Sequence, residues 1–103
     1  MRLDKYLQVT GLIKRRVLAS EACRRGLVRV NGIAVKPTRE VAAGDSIIIT
    51  LARREIEVKV LQEIKGISLK KALRSEYFET VRDIAITPVS ELDDFWAEDS
   101  KDD

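Results

Sequence analysis

A chain of 103 residues has room for one domain and an appendage, because a second independent core would not fit. Hydrophobic residues make up 45% and charged ones 35%, the latter above the usual share of about 25%. With no histidine the chain lacks the commonest general base and any Ser-His or Cys-His pair, and its single cysteine permits neither an intrachain disulfide nor a zinc site of ordinary composition.

The net charge is only +2, but its distribution is uneven. Residues 1–74 carry 17 Lys/Arg against 7 Asp/Glu, and residues 75–103 carry 2 against 10. A basic domain followed by an acidic tail points to nucleic acid or another charged surface as partner. No apolar stretch approaches the roughly 20 residues needed to cross a bilayer, and no apolar run follows the first charges as in a signal peptide. These features, with no glycine-rich phosphate loop, read as a cytoplasmic protein with no membrane partner, no cofactor, no metal and no catalytic residues.

In chain order, Leu3, Tyr6, Leu7 and Thr10 recur at helical spacing and predict a short first helix with Asp4, Lys5 and Gln8 outward. Gly11 breaks it. A second helix is predicted over about 14–25, with Val17 or Leu18, then Ala19, Ala22 and Cys23 on its inner face. Gly26 falls where a left-handed cap is expected. The period then changes to two. Val28 and Val30 form a strand, Asn31-Gly32 a hairpin turn, and Ala34-Val35 a brief strand closed by Pro37. After a turn at Ala43-Gly44-Asp45, Ile47, Ile49 and Leu51 pair with Ile56, Val58 and Val60 across a loop at 52–54. Slipping that hairpin by one residue would turn its isoleucines outward, so its register should be firm.

The fold class is therefore α+β, two short helices packed on a small antiparallel sheet, with a C-terminal helical extension. The expected division is a domain over 1–62, a helical extension over 63–79 bearing Leu69, Ala72, Leu73 and Tyr77, and an acidic, partly disordered tail over 80–103. Within that tail Ser90-Glu91-Leu92-Asp93 resembles a capping box, followed by Leu92, Phe95 and Trp96 on one helical face.

The first 36 residues carry Arg2, Lys5, Lys14, Arg15, Arg16, Arg24, Arg25, Arg29 and Lys36 against two acids, Asp4 and Glu21. Lys14, Arg15 and Arg16 sit at the start of the second helix, where positive side chains oppose the helix dipole. Such a cluster is better tolerated when an anion comes to sit there, and phosphate suits both free N–H groups and guanidinium forks. A solvated basic face is the competing reading.

Arg2-Leu3-Asp4-Lys5-Tyr6-Leu7 resembles the opening of stand-alone bacterial S-four-type RNA-binding domain proteins. So do Lys14-Arg15-Arg16 through Ala19, then Gly26, Val28, Val30-Asn31-Gly32, Lys36-Pro37 and Gly44-Asp45. The nearest likenesses are the ribosome quality-control protein P and fifteen-kilodalton heat-shock protein families. The likeness is close over residues 1–51 and extends in pattern to about 62. It implies a non-catalytic protein binding rRNA of the large ribosomal subunit carrying peptidyl-tRNA after a stalled ribosome has split, and acting as a monomer. By position, Arg2, Lys5, Lys14, Arg15 and Arg16 carry over as RNA contacts, with Arg24, Arg25 and Lys36 following less directly. The acidic tail departs from the long basic C-terminal region of the heat-shock type.

Asp4, an acid among these cations, is expected to pair with Arg16 and orient it; a helix-start carboxylate favouring the dipole is the alternative. Tyr6 reads as core before it reads as a base-stacking platform, and Cys23 as a small buried apolar residue. Arg53 and Arg54 at the hairpin tip are either RNA contacts or guards of an exposed edge. The aromatic tail has three readings: a docking element for a protein partner, which would make the chain an interaction adaptor; a segment folded back over the basic face; or packing on its own sheet. An RNA-modifying enzyme lacks a catalytic domain at this length.

Overall fold

The computed structural model of the chain describes residues 1–63 and 76–100. Helices α1 (Leu3–Val9) and α2 (Arg16–Arg24) are followed by strands β1 (Val28–Val30), β2 (Ile33–Ala34), β3 (Ser46–Thr50), β4 (Arg54–Val60) and β5 (Phe78–Ala85), then by helix α3 (Ser90–Ser100). The strands form one antiparallel sheet in the order β2-β1-β3-β4-β5. The fold is α+β.

Period-two patterning places the sheet's apolar face on the helices. Val28, Val30, Ile47, Ile49, Val58 and Val60 share one core with Leu3, Tyr6, Leu7, Ile13, Ala19, Ala22 and Cys23. The register that keeps this face intact sets Ile47 opposite Val58 and Ile49 opposite Ile56. Asn31 and Gly32 both adopt positive φ (53° and 83°), the geometry of the two-residue hairpin turn joining β1 and β2. On the opposite face, Arg29 pairs with Glu55 at 3.1 Å, and Arg82 reaches both Glu55 (3.2 Å) and Glu57 (3.1 Å). This balanced ionic ladder suits a face that remains in water.

Several expectations need correction. The choice left open between Val17 and Leu18 falls to Leu18, half-buried on the inner face of α2, while Val17 is 83% exposed. Asp4 is buried, because two arginines fold over it. The helix expected over 63–79 falls largely outside the described residues, and its last two positions, Phe78 and Glu79, belong to β5. The stretch expected to be an acidic tail contributes the rest of β5 and all of α3. Strand β5 lies at the sheet edge with nearly every residue exposed, so no apolar face announces it. Its pairing with β4, through a register shift at Glu57/Val58, holds it in place.

Candidate nucleic-acid interface

The start of α1 is fixed by backbone contacts that reach across the chain. The Leu3 N–H donates to the Arg39 carbonyl at 2.7 Å and the Asp4 N–H to the Pro37 carbonyl at 3.2 Å. The loop after β2 thus satisfies N–H groups of α1 that have no partner within the helix. It also brings Lys36 and Pro37 beside the helices.

Asp4 is the centre of the constellation. Arg2 grips it with two donors, Nε at 3.2 Å from Oδ1 and Nη2 at 2.9 Å from Oδ2. The Lys5 backbone N–H donates to Oδ1 at 2.7 Å, and Arg16 Nη2 stands 3.6 Å away. Asp4 therefore pairs with Arg16 as expected, but Arg2 is its closer partner. The guanidiniums stay roughly half-exposed while the carboxylate is buried. A carboxylate so covered orients its cations and leaves their outer donors to solvent or to a ligand.

Arg2, Asp4, Arg16, Val17, Ser20 and Arg24 line a groove of about 390 Å³. A second groove of about 410 Å³ brings together Arg24, Arg25 and Lys36. Arg24 borders both, so the two form one basic surface. A second acid repeats the arrangement at Asp4. Glu21 pairs with Arg25 at 3.2 Å and with Arg24 at 3.8 Å, again two arginines to one carboxylate. Each group keeps an excess positive charge.

The remaining predicted residues lie apart from these grooves. Lys5 lines neither, and its known tie to the cluster is its backbone N–H. Lys14 and Arg15 precede α2, and their backbone N–H groups donate to the Asp99 carboxylate of α3 at 3.2 and 2.9 Å. An anion does sit at this helix start, and it is the chain's own. Ser20 was not anticipated in the groove, although Arg16, Ser20 and Arg24 share a four-residue spacing that sets them along one helical stripe.

Tyr6 is wholly buried, and its hydroxyl donates to the Tyr77 carbonyl at 3.2 Å, tying α1 to the entry of β5. That leaves no face for base stacking. Burial pushes its phenol up to about 12. The Cys23 thiol is pushed up to about 11 by burial and by the nearby Asp4 charge, with Arg24 opposing. It is a protonated core group.

Residues 1–47 match the S4 domain family. The RQC P-site tRNA stabilizing factor of Listeria monocytogenes is 36% identical over 85 residues, 81% of this chain and 88% of that protein. The chain belongs to the S4-domain family of these factors. The Helicobacter pylori protein of the same name is 47% identical over 62 residues, 60% of this chain and 74% of that one. Among solved S4-type folds, trimeric heat shock protein 15 of Vibrio cholerae superposes with a TM-score of 0.70 over 98% of this chain and 90% of its own. At 20% identity that match speaks for the fold alone. A hypothetical protein solved in solution has a TM-score of 0.71 at 36% identity, covering 80% of this chain and 98% of its own. Among the described residues no helix is long and apolar enough to cross a membrane.

Proposed function

We propose that this chain is a non-catalytic, cytoplasmic RNA-binding protein that works as a single copy on the large ribosomal subunit. There it would grip rRNA in the presence of peptidyl-tRNA during rescue or quality control of stalled ribosomes. The observation that carries the reading is the convergence of Arg2, Arg16 and Arg24 on one groove over a buried carboxylate. Half-exposed guanidiniums held in fixed orientation suit phosphate oxygens, which accept two parallel hydrogen bonds from one fork. Arg25 and Lys36, in the adjoining groove, extend the basic surface, and Lys5, Lys14 and Arg15 are its flanking contacts. The relatives named for stabilizing P-site tRNA in ribosome quality control supply the biological setting.

The adaptor reading draws less support. Leu92 is buried, and Phe95 and Trp96 pack against the chain's own core, so the aromatic face needed to capture a partner is already in use.

Sedimentation of the tagged protein through sucrose gradients tests the proposal. The expected result is co-migration with free large subunits and loss of that association in an R2A/R16A/R24A variant. Migration at the top of the gradient, or association that the triple variant retains, would count against it.

A further inference from the structure

Helix α3 presents Glu91, Asp93, Asp94 and Asp99, and its sequence has no basic residue between Ser90 and Ser100. Among the described residues it meets basic residues at three places and the sheet at a fourth. The Asp99 carboxylate takes the Lys14 and Arg15 N–H groups, one on each oxygen. The Phe95 ring lies 4.7 Å beneath the Arg25 guanidinium. Asp93 approaches Arg53 at 3.5 Å, and the Trp96 indole N–H donates to the Thr50 carbonyl at 3.1 Å. Three residues assigned to RNA are therefore engaged by this one helix, Lys14 and Arg15 through backbone N–H groups and Arg25 through its guanidinium.

We infer that α3 is an intramolecular competitor for RNA, a displaceable polyanion that occupies the Lys14, Arg15 and Arg25 side of the basic surface in the free protein. The inference rests on the RNA-binding reading above. Two successive N–H donors on a two-oxygen anion is the same pattern a phosphate would satisfy, and the arene beneath Arg25 holds a guanidinium that a phosphate would draw away. The contacts holding α3 by charge are solvent-exposed, so each is individually weak and yields to a denser anion. Leu92, Phe95 and Trp96 also pack on the chain's own body, and drawing them off is a cost that the RNA contacts must offset. Where RNA and α3 need the same groups, each must weaken the other to the same extent. Among the described residues, none of these α3 contacts falls on Arg2, Arg16 or Arg24, which line the neighbouring groove. RNA can engage there first and then displace α3 from the neighbouring cations.

Anisotropy titrations of the intact chain with a fluorescein-labelled RNA hairpin test this. Asp99→Asn keeps the shape of the side chain and removes its charge. It should tighten binding by about threefold to tenfold. Asp94→Asn removes the same charge from a residue that makes no ion pair among the described residues, and should change affinity by less than about twofold. The sole tryptophan reports the displacement: on saturation with unlabelled hairpin, Trp96 emission should move to longer wavelength as the indole leaves Thr50 for water. Equal effects of the two substitutions, weaker binding by Asp99→Asn, or unchanged Trp96 emission at saturation would each overturn the competitor. Hairpin binding with normal salt dependence but no response to Asp99→Asn would leave the RNA reading standing and remove this one. Absence of binding in every form would overturn both.

Discussion

Asp4 and Asp99 are both carboxylates set against basic groups, and they behave as different devices because of burial. Asp4 lies at the base of α1 with two arginines and a backbone N–H around it, in contact with a core that any rearrangement would disturb. Asp99 sits near the end of an acidic helix and, among the described residues, meets two backbone N–H groups at an exposed chain segment. The first fixes cations in place; the second caps backbone N–H groups beside cations. Coulomb attraction between exposed charges is largely screened by water and salt, whereas a covered pair is costly to break because one charge would be stranded. The same chemistry therefore gives, at the start of α2, a permanent scaffold on Arg16 and a removable cap on the Lys14 and Arg15 N–H groups.

The largest effect should come from breaking the scaffolded side. An R2A/R16A/R24A variant loses three charge-assisted contacts and should bind an RNA hairpin about a hundredfold more weakly. Because it also strands the buried Asp4 carboxylate it should lose stability, so affinity is compared at a temperature where its circular dichroism is native. Next, Asp4→Ala strands two guanidiniums. Because both are half-exposed the loss of folding stability should be about 2 kcal/mol, below the usual cost of breaking a buried pair, as read by urea denaturation. RNA affinity should fall as well, since the arginines are no longer held, and tighter binding would show that Asp4 only repels phosphate.

Alkaline pH probes the core beneath that scaffold. Cys23 and Tyr6 stay protonated in the folded chain up to about 11 and about 12, against ordinary values of 9.0 and 10.0. The unfolded chain then binds fewer protons than the folded one, so stability falls as pH rises. It should be complete below about pH 9, decline between about 9 and 11 through Cys23, and decline further between about 10 and 12 through Tyr6. Cys23→Ala should remove the first part of the decline in urea midpoints measured across that range. The smallest effect belongs to the covering side: Arg53→Ala removes the exposed partner of Asp93 and should shift stability by less than about 0.5 kcal/mol.

What could be read in the sequence follows the same division. Residues whose role is local were legible: the apolar spacing of α1 and α2, the Asn31-Gly32 turn, the alternation of β3 and β4, and the Ser90 to Asp93 start of α3. Residues whose role depends on distant partners were not. Asp4 falls on the outward side of a helical wheel, and only Arg2 and Arg16 folding over it bury it. Strand β5 has no apolar face because its partner is β4 backbone and its outer ionic ladder, and its acids made it look like tail. The clustering of Lys14, Arg15 and Arg16 against the helix dipole called for an anion, and the pattern was right about the need. That Asp99 supplies it depends on how the chain returns after β5, which no local pattern encodes.

The central claim is that a fixed set of guanidiniums over Asp4 neutralises RNA phosphates. Its most direct test is the affinity of the intact chain and of R2A/R16A/R24A for one RNA hairpin across a salt series. Neutralisation of about four to six phosphates gives log affinity against log salt a slope of roughly −3 to −5 for the intact chain, and the variant should be shallower by about 2. A salt-insensitive intact chain, or a variant with the same slope, would contradict the account.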